Sequence, residues 1–351
     1  MYVVYGEPRS VRPQKWLSGA RVRVRRGETD YRARVSAVTL VLVLASLLLG
    51  CRGDGPSTNK GGSATQPEAG SDATGSSILS QLSGWELTFL AVRAGKAPHL
   101  YSANADGSNV RQLDRFPGDK QNPNWAPNGR RLAVRWVPSD YENPTPLLIL
   151  ASDGSIAVNL TKRTGLAGWS PSWSPDGKRL VTAARTKFER TEGLYVMNSD
   201  GTNARRITPP GREAQYASWS PSGEKIAFTY VENGGFDLYT IRPDGSDLRR
   251  LTSDGPEGEN NWAMWSPDGA KIAWGRGETL RLMKADGSGQ RMVTDAGGVP
   301  GAWAPGPFIT FQCETQAGSG ICAVREDGTG LVPLLGGVEA GFPAWRPRQV
   351  G

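Results

Sequence analysis

The chain has 351 residues, with 41 Lys or Arg against 34 Asp or Glu and a formal net charge of +7. That excess is local: residues 1–50 hold nine basic and three acidic side chains, which leaves +1 for everything after them. A nearly neutral body carries no electrostatic footprint for a nucleic-acid partner, and one histidine, His99, with no Gly-x-Ser-x-Gly motif, leaves little from which to build a hydrolase.

In chain order, arginines at 21, 23, 25, 26, 32 and 34 precede an apolar run from 37 to 49. A helix crossing a bilayer core takes about 20 apolar residues, so this shorter run reads as the core of an export signal. Arg25 and Arg26 are followed by Gly-Glu-Thr-Asp, polar and acidic residues that favour export of the unfolded chain. The run ends in Leu48, Leu49, Gly50 and Cys51, which resembles a lipobox. That resemblance implies a diacylglycerol thioether on Cys51, which becomes the first mature residue. Residues 52–80 are mostly Gly, Ser, Thr, Asp, Pro and Gln, the composition of a flexible linker. The expected organisation is a signal peptide over 1–50, an attachment cysteine and linker over 51–80, and one domain over 81–351.

That domain is repetitive. Asp-Gly followed by Ser or Thr begins at 106, 153, 200, 244, 286 and 327, in steps of 47, 47, 44, 42 and 41 residues. Interleaved with these pairs, a Trp stands two residues ahead of a Pro at Trp125, Trp173, Trp219, Trp265, Trp303 and Trp345. The copy from Ser218 to Thr252 shows the unit. A strand ends at Trp219, and Ser220-Pro221-Ser222-Gly223 makes a turn. Strands follow over 226–230 and 236–241, and Asp244-Gly245-Ser246 supplies a tight hairpin before an outer strand at 248–252. Four antiparallel strands recurring every ~45 residues describe a blade of a β-propeller. The first repeat has its second, third and fourth strands at 87–92, 99–102 and 110–113 but no Trp-x-Pro strand before them; Phe342 to Pro347 supplies one at the far end of the chain. The expectation is therefore an all-β, six-bladed propeller closed by pairing of the C-terminal strand with the first blade.

The copies Trp173-Ser-Pro-Asp-Gly-Lys178, Trp219-Ser-Pro-Ser-Gly-Glu224 and Trp265-Ser-Pro-Asp-Gly-Ala270, each joined to a downstream Asp-Gly-Ser/Thr, resemble the propeller repeats of the TolB family. The resemblance covers residues 85 to 347. It implies the propeller half of that family; the folded α/β domain that stands before the propeller in the Tol-Pal component has no counterpart in residues 52–80. Trp303-Ala-Pro-Gly-Pro307 lacks the Asp-Gly, so that copy is degraded.

For the site, the six repeat tryptophans are expected to pack between blades, and the Asp-Gly turns to need no ion, because each brings one main acid where a calcium shell takes several. Cys313 and Cys322 lie at the end of one expected strand and the start of the next, with eight residues between them, and are expected to form a disulfide in an oxidising compartment; two reduced core thiols are the competing reading. No metal, cofactor or catalytic group is expected. Irregular loops on one face of the ring carry the binding candidates, namely Tyr141, Phe188, Arg190 and Tyr216, followed by Glu257, Asn260, Asn261 and Trp262. The combined expectation is a monomeric, lipid-anchored extracytoplasmic module, at the cell surface or in the periplasm, that binds an envelope protein, peptide or glycan without chemistry of its own. Its alternatives are a propeller enzyme acting on carbohydrate through channel residues and a passive envelope scaffold.

Overall fold

The computed structural model describes residues 73–92, 98–116, 118–138, 145–232, 234–254, 259–315, 318–336 and 339–348. The first blade pairs β24 (Glu339–Trp345), β1 (Glu86–Val92), β2 (His99–Asn104) and β3 (Arg111–Gln112). The second holds β4 (Asp119–Trp125), β5 (Arg131–Val137), β6 (Leu147–Ala151) and β7 (Ile156–Asn159), and the third β8 (Ala167–Trp173), β9 (Arg179–Arg185), β10 (Gly193–Asn198) and β11 (Arg205–Arg206). The fourth holds β12 (Glu213–Trp219), β13 (Ile226–Glu232), β14 (Gly235–Ile241) and β15 (Arg249–Arg250). The fifth holds β16 (Asn260–Trp265), β17 (Lys271–Arg276), β18 (Thr279–Lys284) and β19 (Arg291–Thr294), and the sixth β20 (Val299–Trp303), β21 (Phe308–Thr315), β22 (Gly318–Arg325) and β23 (Val332–Leu335).

The expected closure is present. β24 runs antiparallel to β1 with Leu87 opposite Trp345 and Val92 opposite Glu339, so the first blade takes its inner strand from the end of the chain. Pairing with β24 covers the edge that β1 would otherwise expose, and the outer edge strands of the six blades are short, two to four residues each.

Each Asp-Gly-Ser/Thr turn is built the same way. In the fourth blade the Asp244 carboxylate accepts from the Ser246 amide at 2.9 Å and from its hydroxyl at 2.6 Å. Gly245 at φ +94° supplies the left-handed residue, and a Cβ there would lie 2.9 Å from the Ile207 carbonyl oxygen of the blade before. The first blade repeats this against the sixth, where Gly107 meets the Leu334 carbonyl, so glycine is required both by the turn and by the packing of one blade on the next.

Two differences from the sequence reading concern secondary structure. Residues 73–80, expected as the end of a linker, belong instead to a helix, α1 (Ala73–Leu82), with Ile78 and Leu82 fully buried against Leu87, Phe89 and Leu334 at the junction of the first and sixth blades. Four-residue spacing puts those two apolar side chains on one helical face. The outer strands are also shorter than expected: 248–252 contributes only Arg249 and Arg250 to the ladder. The Leu251 amide still donates to the Leu238 carbonyl at 2.8 Å, and the residue after it caps the ladder with its side chain. Thr252 accepts the Leu238 amide through Oγ1 at 2.9 Å, as Thr208 does for Leu194 and Thr161 for Leu147. A second short helix, α2 (Leu160–Thr164), follows β7.

Candidate functional site

The six inner strands, β4, β8, β12, β16, β20 and β24, each end in the repeat tryptophan. Four of those indoles donate to the preceding blade: Trp125 to Thr88 Oγ1 at 3.0 Å, Trp173 to the Asn124 carbonyl at 3.1 Å, Trp303 to the Met264 carbonyl and Trp345 to Thr310 Oγ1, both at 3.3 Å. Trp219 instead donates to the Gly223 carbonyl of its own turn, and Trp265 Nε1 has no partner among the described residues. These tryptophans pack at the seams between blades, and Trp125, Trp265, Trp303 and Trp345 also border the cavity on the axis.

Each inner strand is bulged at that point. The residue three before the tryptophan holds a positive φ of 51–53° in five blades, at Asn122, Ser170, Tyr216, Trp262 and Phe342. In the sixth blade the same position is Pro300, whose ring forbids that conformation. None of the five is glycine, and left-handed backbone costs an L-residue ~1–2 kcal/mol, so the bulges hold strain on the axis. Their side chains, with the residues just after them, line a cavity of about 310 Å³.

The wall is two-sided. Asn122, Asn124, Ser170, Ser172 and Ser218 give it a polar arc on the second to fourth blades, while Met264, Pro300, Ala302 and Phe342 give it a mainly apolar arc on the other side, interrupted by Gln312. Tyr216 and Trp262 stand between the arcs with ring centroids 4.3 Å apart, and Trp169 meets Tyr216 edge-on at 5.2 Å. No lining residue of this cavity is ionisable at neutral pH, so the lining supplies neither a general acid nor a base.

Carboxyl groups appear at the other end of the inner strands, six residues before the tryptophan. Asp119 accepts from Gln121 Nε2 at 2.6 Å, and Arg135 in turn donates to Gln121 Oε1 at 3.0 Å. Burial raises the Asp119 pKa against the help of Gln121 and Arg135, and Asp119 Oδ1 has no partner among the described residues. Glu213 likewise accepts from Gln215, and burial, then the neighbouring Glu192 charge, raises its pKa. The legible signal was register: an acid six before Trp with Gln two residues later, twice.

Of the loop candidates, Phe188 is 85% exposed between β9 and β10 with Lys187 Nζ 5.0 Å from its ring centroid, and Arg190 is exposed beside it. Tyr216, Asn260, Asn261 and Trp262 are strand residues, not loop residues. Asn260 is fully buried, donating to the Phe236 carbonyl and to Asp254 and accepting from Trp274 Nε1 at 2.9 Å, so its amide is spent within the fold. Asn261 Oδ1 and Trp262 Nε1 are buried without partners among the described residues. Tyr141, Glu257 and the lipobox residues Leu48, Leu49, Gly50 and Cys51 lie outside the described residues. Cys313 and Cys322 are disulfide-bonded across β21 and β22, with Cα atoms 5.8 Å apart.

His99 opens β2, with Nδ1 3.1 Å from Asp114 Oδ1. Asp114 also takes the Leu100 amide and the buried Lys120 ammonium, so His99 belongs to a structural network between the first and second blades.

A closed ring of six four-stranded blades around an uncharged, aromatic-flanked axial cavity defines a six-bladed β-propeller. The family model for the TolB beta propeller domain matches residues 85–349, and the chain belongs to that family. It is 30% identical over 158 residues to the protein TolB homolog of Chlorobium luteolum, covering 45% of this chain and 34% of that protein. It is 33% identical over 174 residues to the Tol-Pal system protein TolB of Anaeromyxobacter dehalogenans, covering 48% of this chain and 38% of that protein. These matches therefore span little more than a third of either relative. Among solved structures, TolB from Acinetobacter baumannii superposes with a TM-score of 0.63 at 21% identity, over 75% of this chain and 67% of that one, a likeness of fold.

Proposed function

We propose that this protein is an extracytoplasmic binding module, tethered to a bacterial membrane through lipid on Cys51, that captures an envelope protein or peptide on the face of its long loops. The observation that carries the reading is Phe188, 85% exposed at the tip of the loop between β9 and β10. A large aromatic held in solvent on a rigid ring, with Lys187 and Arg190 beside it, has the make-up of an interface anchor. In a four-stranded blade the turns after the first and third strands share one face, while the connection after the second strand and the one to the next blade share the other. Phe188 is therefore on the face opposite the Asp-Gly turns, the face toward which Asp119 and Glu213 also sit. The family's presence in envelope systems, as the relative named a Tol-Pal system protein indicates, supports placement outside the cytoplasm. The short apolar run before Cys51 supports lipid attachment.

The tether test is fractionation of cells producing wild type and Cys51→Ala, with palmitate labelling. Wild type in the membrane fraction and labelled, with the variant released and unlabelled, is the expected outcome; an unlabelled wild type would overturn the anchor. The binding test is quantitative capture by the full chain from detergent-solubilised native envelope, with Phe188→Ser beside it. A component lost with Phe188→Ser is expected, and identical capture by both would remove the loop face from the account.

A further inference from the structure

We propose that the axial cavity is a second binding site, for an uncharged sugar ring, independent of the loop face on which a protein partner docks. The cavity's size, about 310 Å³, falls at the lower end of the range of small-molecule sites, ~300–1,000 Å³. Its lining excludes two ligand classes outright. An anion or cation entering it would lose its water without meeting any opposite charge, since no lining side chain is ionisable at neutral pH. A wholly apolar ligand would leave Asn122, Asn124 and Ser172 desolvated against hydrocarbon.

What fits is a compact ring with an apolar C–H face and a rim of hydroxyl or acetamido groups. The half-buried Tyr216 and Trp262 provide the aromatic surface for the C–H face. Across from the apolar arc of Met264, Ala302 and Phe342, the polar arc provides the rim contacts. Asn124 spends its carbonyl oxygen on the Trp173 amide at 3.1 Å, which fixes the amide plane and leaves its NH₂ group for a ligand acceptor. Ser172 Oγ accepts the Trp219 amide at 3.0 Å and is left with its own proton to donate. Both groups are thus oriented by the neighbouring blade before any ligand arrives, and preorganisation lowers the entropy cost of binding.

The strained bulges are what place these groups on the axis. Trp262 combines φ +53° with a buried indole N–H that has no partner among the described residues, at the centre of the ring. Strain held where side chains converge on a cavity is the usual mark of a site.

The test uses the full chain in a zwitterionic detergent, since glycoside detergents carry the ligand class in question. N-acetylglucosamine, its β-1,4-linked disaccharide and cellobiose are titrated with intrinsic tryptophan fluorescence and calorimetry as readouts, with digalacturonate and a neutral Gly-Ser-Ala-Pro peptide as comparators. At least one neutral saccharide is expected to give saturable binding while the comparators give none. Trp262→Ala is expected to weaken it on the order of tenfold or more. Asn122→Gly, which suits the left-handed backbone and so keeps the fold, is expected to weaken it as well without lowering the melting temperature. No saturable binding of any neutral saccharide by the folded protein would overturn the proposal. So would affinities unchanged in both variants, or tighter binding of the acid or the peptide. Loss of protein capture in Phe188→Ser with sugar binding intact separates this site from the loop face.

Discussion

Lys120 and Asp114 form an ion pair with both side chains fully buried between the first and second blades. Lys120 also donates to the carbonyl oxygens of Phe116 and Gly118, and burial lowers its pKa against the pull of Asp114. In the repeat register, the position of Asp114 is Thr161, Thr208 and Thr252 in the next three blades, and that of Lys120 is Gly168 and Ala214 in the third and fourth. The pair is therefore a coupled departure from the repeat, at the blade that also closes the ring. Removing one partner strands a buried charge, so Lys120→Ala and Asp114→Thr should each cost ~3–5 kcal/mol. The double variant, which restores the repeat's own residues, should recover most of that loss. Urea unfolding of all four proteins checks the cycle, and single variants within ~1 kcal/mol of wild type would contradict it.

Closure makes a prediction about cooperativity. Deleting residues 342–351 removes Trp345 and much of the β24 ladder to β1, leaving the first blade without its inner strand. The truncated protein is expected to lose its cooperative thermal transition, and Trp345→Ala alone to cost ~3–5 kcal/mol. Circular dichroism melting decides, and a truncated chain melting like wild type would refute the closure.

Backbone strain on the axis should be recoverable at Ser170, which holds φ +51° and a buried hydroxyl with no partner among the described residues. Ser170→Gly should stabilise by ~1 kcal/mol, from relief of the left-handed strain and loss of an unsatisfied group. Ser170→Ala keeps the strain and should gain less. Equal melting temperatures for the two would show that the bulge is unstrained.

The pH dependence has two opposed parts. The turn aspartates, among them Asp106, Asp200, Asp244 and Asp327, have pKa values lowered first of all by the Ser or Thr hydroxyl two residues on. A lowered folded pKa gives stability that is present above the ordinary aspartate value and is lost as pH falls through the folded one. Asp119 and Glu213 are raised, so their contribution is present below the ordinary carboxylate values and is lost as pH rises through the folded ones. Glu213→Gln should therefore raise the melting temperature at about pH 7 and not at about pH 3, whereas Asp244→Asn should lower it at about pH 7 and matter little at about pH 3. Melting curves at both values check the signs.

Blade architecture was readable because Asp-Gly-Ser/Thr and Trp-x-Pro are turn chemistry in fixed register, and the orphaned Phe342–Pro347 segment could only belong to the first blade. The helix over Ala73–Leu82 escaped because Ile78 and Leu82 are set among Gly, Ser and Thr that mask a helical stripe. Tyr216 and Trp262 were read as loop residues for a physical reason: strand formers at positive φ carry no local signal, and a bulge is decided by pairing with the next strand. The Asp119–Gln121 and Glu213–Gln215 pairs were visible only by counting back from the tryptophans. The ion pair of Asp114 and Lys120 required comparing repeats with one another, not reading either residue alone.

The central claim, that the long-loop face binds an envelope component, is tested most directly by a photo-crosslinking amino acid placed at Phe188 in living cells, with Leu248 on the opposite face as the control. The account predicts a discrete adduct from position 188 and none from 248. No adduct at 188, or equal adducts from both faces, would contradict it.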